Sequence, residues 1–313
     1  MSQNSLFLMA LLSGVCFGSM SWAYQMGRKW KVPAAQIAFV SLGTGTFVFL
    51  GYLYYHHLAQ GLPPGNPWRA PWPVWVFTFI GAVGQVGTVV LIDPGLKRGP
   101  SAPVFCAMNL VFLPAALYAV GVLHESITLI QCLGLVMAIG CVLVAGMAQP
   151  ASDSGVQVIR SRMNFLIYPL CLLGLTLASS LATIVMKQLQ AMPVDSSSLF
   201  AYHKGLYLFL TYGCGSVGIG LVLTRIGWSS FQMRRALLLG GFAAAGSISG
   251  FFTLCLVAAL PGGIGFALTN IVCFVTIALI SAFIFKEKRN LAWYLTILMA
   301  IIGVSLFALG LRR

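Results

Sequence analysis

Leu6-Phe-Leu-Met-Ala-Leu-Leu-Ser-Gly-Val-Cys-Phe-Gly-Ser-Met-Ser-Trp-Ala-Tyr24, followed at once by Gln25-Met-Gly-Arg28-Lys29-Trp-Lys31, decides the class of fold. An uncharged apolar run of this length can cross the hydrocarbon core of a bilayer as a helix. A secretory signal carries its basic residues in front and a small-residue cleavage site behind. Here the leader Met-Ser-Gln-Asn-Ser has no basic residue and the charges come after. The segment is therefore expected to remain as a first membrane span.

The same pattern recurs along the chain. Apolar runs between polar punctuation predict ten spans, at 6–24, 34–55, 74–92, 102–123, 129–147, 165–186, 199–223, 236–260, 262–285 and 291–311. Glycine and proline mark the breaks, as in Gly61-Leu-Pro-Pro-Gly-Asn-Pro67 and Pro261-Gly262-Gly263. The break between the eighth and ninth spans is the least marked. Composition agrees with this reading: 59% of the 313 residues are hydrophobic and 7% charged, against roughly 25% charged in a soluble domain. So few charges cannot build a polar shell, whereas lipid can cover an apolar surface. The fold class expected is an all-α integral membrane protein of the cell membrane.

The formal charge of +13 would suit a nucleic-acid partner, but Lys and Arg occur as short groups at span ends and form no basic stripe. Their distribution is topogenic. The loops after spans 1, 3, 5, 7 and 9 hold thirteen: Arg28, Lys29, Lys31, Lys97, Arg98, Arg160, Arg162, Arg225, Arg234, Arg235, Lys286, Lys288 and Arg289. The other side holds Arg69, Lys187, Arg312 and Arg313, with Lys204 inside span seven. The positive-inside rule then places both termini outside the cytoplasm. The eight cysteines are scattered singly through apolar runs, with no Cys-x-x-Cys pair and no Cys/His cluster, so neither a metal nor a cofactor is expected.

The longest hydrophilic connection, 148–164, falls near the midpoint. It divides the chain into residues 1–147 and 165–313, five spans each, with a cytoplasmic linker between. An odd number of spans per half would set similar halves upside down, an arrangement common in transporters that open alternately to two sides. His124-Glu125 and Lys286-Glu287 close the fourth span of each half, their acids 162 residues apart.

Five plus five short-looped spans resemble the drug/metabolite transporter superfamily, of EamA-like type. The resemblance is carried by Arg98-Gly-Pro-Ser-Ala-Pro103, Glu125, Thr128, Gln131, Gly134, Gly140 and Val144 in the first half. In the second half it is looser, through 262–270, Glu287 and Gly303. The charged loop Gly27-Arg-Lys-Trp-Lys31, the stripe Gly81/Gly84/Gly87 and Gly95-Leu-Lys-Arg-Gly99 are similar to the rhamnose and glucose-uptake branch. The resemblance implies a central cavity lined by helices 1, 3, 4, 6, 8 and 9, with the fifth and tenth at the periphery.

Polar groups inside a membrane cost free energy unless satisfied, so each one is a candidate for function. Asp93, between Ile92 and Pro94 at the end of span three, is the candidate for proton or co-ion coupling or for one side of a gate, or a helix-end acid paired with Lys97 or Arg98. His203 and Lys204 in span seven could meet an anionic group, or Lys204 could snorkel to the surface. Ser180, in Ala178-Ser-Ser-Leu-Ala-Thr183, and Lys187 closing span six are candidates for cavity lining or an interfacial anchor. Trp22, Tyr24 and Gln25 ending span one, Gln85 among the glycines, and Asn109 with its counterpart Asn270 complete the set of solute-binding candidates. An amide offers a solute both donors and acceptors, or bonds a neighbouring helix. Gly14/Gly18, Gly246/Gly250 and the span-three stripe are expected to pack helix on helix.

No Gly-x-x-x-x-Gly-Lys-Ser/Thr loop is present to hold ATP phosphates. A secondary transporter of a small polar solute, a sugar or an amino acid, is the function expected, by alternating access and with protons or another co-ion as an option. Efflux of drugs or metabolites by the same fold is the first alternative, and a homodimer is compatible with either. An intramembrane lipid-modifying enzyme is the rival class. It would need clustered carboxylates for Mg²⁺, and Asp93, Glu125, Asp153, Asp195 and Glu287 lie far apart in sequence.

Overall fold

The computed structural model describes residues 3–60, 72–98, 104, 107, 110–148, 162–191, 197–226, 232–284 and 291–311. These residues form α1 (Gln3–Lys29), α2 (Ala34–Gln60), α3 (Trp72–Arg98), α4 (Phe112–Gly121), α5 (Leu129–Ala148), α6 (Arg162–Ala191), α7 (Ser197–Ile226), α8 (Met233–Val257), α9 (Ile264–Phe283) and α10 (Leu291–Gly310). No strand occurs among the described residues. A backbone in hydrocarbon has no water to bond, so each segment must close its own hydrogen bonds as a helix.

Seven of these helices (α1, α2, α3, α6, α7, α8 and α10) are long and apolar enough to cross a membrane, and α4, α5 and α9 contribute shorter apolar stretches. The expected fourth span, 102–123, is described in full only from residue 110. Large apolar side chains point outward from the bundle: Phe47 is 76% exposed and Leu129 77%. Such a surface would aggregate in water and is covered at no cost by lipid. The chain is thus a multi-span membrane protein.

The helices interleave rather than packing half against half. α1 lies against α8 and α9, and α6 lies against α3 and α4. α2 packs on α7 and α8, α3 on α7, and α5 on α10. Small residues set these distances. A Cβ added at Gly246 of α8 would lie 2.7 Å from the Cys16 carbonyl oxygen of α1, and one at Gly84 of α3 would lie 2.6 Å from the Ala178 carbonyl oxygen of α6. The glycine stripes do pack helices, as expected.

The weakly marked break between spans eight and nine is a short 3₁₀ turn, Pro261–Gly263. Gly263 has φ +69° and caps α9. A side chain there would be strained and would also press within 2.9 Å of Ala116 Cα.

Candidate functional site

At the end of the bundle where α1 stops and α2 and α8 begin, the three span-one candidates lie half-buried. Trp22 packs edge-on against Phe242 of α8, ring centres 4.7 Å apart. Its indole Nε1 is buried and has no hydrogen-bond partner among the described residues. Tyr24 joins Trp22 and Met26 against a core of Ala23, Ile37, Ala236, Leu239 and Ala243. Gln25 is half-buried beside them on α1. Loop contacts hold the same end together: the Gln232 amide N–H donates to Gln36 Oε1 at 3.2 Å, and Arg235 Nη1 donates to the Trp30 carbonyl at 3.2 Å. Trp30, Arg234, Arg235 and Leu238 line a shallow indentation at this end.

The opposite end is organised by Lys187. Its side chain is 2% exposed and its Nζ reaches three acceptors: Glu125 Oε1 at 2.7 Å, the Leu260 carbonyl at 2.8 Å and the Ala258 carbonyl at 3.0 Å. An ammonium has three donors, and here three acceptors meet them. Ala258 is the C-cap of α8, so the cation also answers carbonyls that a helix end leaves unbonded. Beside it the Tyr118 hydroxyl donates to Gln188 Oε1 at 2.6 Å. Lys187 therefore joins α6, the α4–α5 loop and the α8–α9 turn, and its donors are engaged within the protein.

Ser180, seven residues earlier on α6, is fully buried and donates back to the Thr176 carbonyl at 2.6 Å. Its neighbours reach across instead: Thr176 Oγ1 donates to the Ala107 carbonyl at 3.0 Å and Thr183 Oγ1 to the Val111 carbonyl at 3.4 Å. α1 is pinned in a comparable way, Ser13 Oγ donating to the Gly250 carbonyl at 2.9 Å and Thr269 Oγ1 to the Ala10 carbonyl at 3.3 Å. Asn270 is half-buried and its Nδ2 donates to the Phe266 carbonyl of its own helix at 2.8 Å.

Gln85 stands where α3 meets α7. Its Oε1 is buried and unpartnered among the described residues, and a Cβ added at Gly215 would lie 3.2 Å from it. Thr78, Tyr207 and Thr211 carry buried hydroxyls on the same two helices, none with a hydrogen-bond partner of good geometry among the described residues. By contrast, Tyr212 on α7 shares a 2.6 Å hydrogen bond with Ser247 of α8.

The structure thus separates the candidates. Trp22, Tyr24 and Gln25 lie at one end, Lys187 at the other, and Gln85 on the α3–α7 contact. Asp93 sits on α3 and His203 and Lys204 on α7, with side chains outside the described residues, as is all of Asn109. Sequence reading missed the roles of Thr78, Tyr207, Thr211 and the Tyr212–Ser247 pair. Hydroxyl residues are common in membrane helices, and their sequence does not tell which of them find a partner. Glu125 was read as a repeat marker; that it would meet Lys187 could be known only from the packing.

Residues 4–147 match the model of the EamA-like transporter family. A crystal structure, described only as that of a protein, superposes with a TM-score of 0.75 at 15% identity, covering 100% of this chain and 99% of that one. At that identity the likeness is one of fold. No curated protein matches the chain. Nothing in the match singles out the rhamnose and glucose-uptake branch. Over residues 4–147, just under half of its length, the chain is similar to the EamA-like transporter family, which is consistent with the drug/metabolite transporter superfamily that its sequence resembles.

Proposed function

We propose that the protein is a secondary transporter that carries a small polar solute by alternating access between two inverted halves, 1–147 and 165–313. The observation that carries this reading is the way helix contacts come in matched sets. α1 with α8 and α9 is matched, five helices on, by α6 with α3 and α4. α2 with α8 is matched by α7 with α3, while α2–α7 and α5–α10 pair with themselves. A contact pattern that maps onto itself in this way supports a two-fold relation between halves, and such a relation allows two equivalent closures on opposite faces. The EamA-like family of the first half supports the same function.

Between their charged ends the spans carry few ionisable residues, which favours a neutral solute such as a sugar or a neutral amino acid. Asp93 is the proposed coupling group. The thirteen basic residues on alternate loops support outward termini.

The test is solute counterflow into proteoliposomes, with a panel of hexoses, neutral amino acids and charged metabolites. Accelerated exchange of one neutral class is expected; an impermeable protein across the panel would end the proposal. Asp93→Asn at normal abundance should remove any pH dependence of that exchange. An unchanged profile takes Asp93 out of the mechanism. Tags at both ends, probed in intact cells, are expected to be accessible from outside.

A further inference from the structure

We infer that the seam between α3 and α7 is a recognition surface for a neutral, hydroxyl-bearing ligand, closed in this conformation and opened in another. The inference rests on the transporter reading and extends it to particular atoms. Four oxygen atoms define the seam: Thr78 Oγ1 and Gln85 Oε1 on α3, Tyr207 Oη and Thr211 Oγ1 on α7. All four are buried and none makes a hydrogen bond of good geometry among the described residues, the Tyr207 and Thr211 hydroxyls interacting at most with each other, one turn apart on the same helix. Tyr207 is 0% exposed, Thr211 1% and Thr78 3%.

Their spacing puts them on one contact. Thr78, Gly81 and Gln85 are three and four residues apart on α3, and Tyr207, Thr211 and Gly215 are four apart on α7, so each set lies on one helix face. The two faces are complementary. A Cβ added at Gly81 would meet Tyr207 Oη at 2.9 Å, and one at Gly215 would meet Gln85 Oε1 at 3.2 Å. A glycine on each helix makes room for the polar atom of the other, yet that atom gains no bond of good geometry among the described residues.

Native proteins leave few buried polar atoms unpaired, because desolvating a hydroxyl without replacing its bond is costly. Four on one seam, in a membrane, need a state in which they are satisfied. Parting of α3 from α7 supplies it, in the second conformation that alternating access requires. What then fills the seam must carry donors and acceptors but no net charge. Residues 72–92 and 205–224, which hold all four oxygens, contain no Asp, Glu, Lys, Arg or His; the ionisable residues at the same spacing, Asp93 and His203, come only at the ends of the two faces, eight residues after Gln85 and four before Tyr207. Water and the hydroxyls of a polyol or sugar share this chemistry.

Two measurements on the full-length protein decide it. Thr211→Cys in membrane vesicles is treated with N-ethylmaleimide and followed by peptide-resolved mass spectrometry, with the fully buried native Cys141 as the dry reference. A seam that opens even as a minor state should label roughly tenfold faster than Cys141 or more. Labelling no faster than Cys141 overturns the inference, whether or not the protein transports. Tyr207→Phe and Thr211→Val keep the shapes and delete the hydroxyls. Both are expected to melt no lower than the parent, since no bond of good geometry among the described residues is lost in the closed state, while exchange of a neutral sugar falls at least about tenfold, a barrier change near 1.4 kcal/mol. A lower melting temperature would mean that the hydroxyls are already bonded, and undiminished sugar exchange would mean that water alone visits the seam; either result overturns the recognition. If the parent exchanges no solute of the panel, the transporter reading fails, and the labelling still decides whether the seam opens.

Discussion

Lys187 Nζ and Glu125 Oε1 lie 2.7 Å apart at one end of the bundle, the lysine buried and the glutamate 27% exposed. A buried cation is costly unless paired and hydrogen-bonded, and breaking such a pair costs more than the pair contributes. Glu125→Ala should therefore destabilise the protein by about 3 kcal/mol, since it leaves an ammonium without its counter-charge. Lys187→Ala should cost more than Glu125→Ala, because the Ala258 and Leu260 carbonyls lose their donor as well. Lys187→Met combined with Glu125→Gln should recover part of the loss. Thermal unfolding of the purified variants in one detergent measures all three; additive losses in the double variant would show that the pair is not coupled.

Thr128 and Gln131 form a capping box at the start of α5. The Thr128 amide donates to Gln131 Oε1 at 2.8 Å, and the Gln131 amide donates to Thr128 Oγ1 at 3.3 Å. Gln131 Nε2 also donates to the Gly310 carbonyl at 3.0 Å, at the end of α10. Removing a cap costs about 1 kcal/mol. Gln131→Ala should exceed that figure and exceed Thr128→Ala, because it also unties α5 from α10. Equal melting temperatures for the two variants would assign nothing to the Gly310 contact.

Gly246 and Gly241 are five residues apart on α8 and should respond in opposite ways to alanine. At Gly246 the new methyl meets backbone, Cys16 O at 2.7 Å, which cannot rotate away, whereas at Gly241 nothing lies within 4 Å. Gly246→Ala should cost about 1–3 kcal/mol by forcing α1 and α8 apart. Gly241→Ala should be neutral or stabilising by up to about 1 kcal/mol, from its better helix propensity. Melting temperatures check the sign of each, and a tolerated Gly246→Ala would contradict the packing of α1 on α8.

Tyr212 and Tyr207, one and a half turns apart on α7, supply a control for the seam. Tyr212 is bonded to Ser247, so Tyr212→Phe should destabilise by about 1 kcal/mol or more by orphaning the serine. Adding Ser247→Ala should return part of it, since both partners are then gone. Tyr207→Phe has no such bond to another helix to lose among the described residues. Equal destabilisation at the two positions would remove the distinction on which the seam rests.

Much of the architecture was legible in the chain because lipid imposes a simple code. Apolar length gives a span, as with 6–24 inside α1 and 236–260 around α8, and basic residues gather at alternate ends. The observed helices run beyond several predicted spans, α1 to Lys29 and α7 to Ile226, since helices continue past the hydrocarbon where hydropathy does not. Glycine spacing announced that α1 and α3 would pack closely. It did not name their partners.

Partnership is what only the tertiary structure decided. Lys187, read from sequence as a cavity or interface residue, is engaged by Glu125 and two carbonyls from distant segments. Asn270 bonds its own helix, and Gln85, equally an amide among small residues, has an oxygen without a partner among the described residues. A side chain's identity states which bonds it could make; whether it makes them depends on which helix lies opposite, and that is set by the packing of the whole bundle. Hydropathy along one strand of chain determines that a segment enters the membrane, because the cost is local. Satisfaction of a polar atom is not local, so the residues left waiting for a ligand could be found only after the helices were assembled.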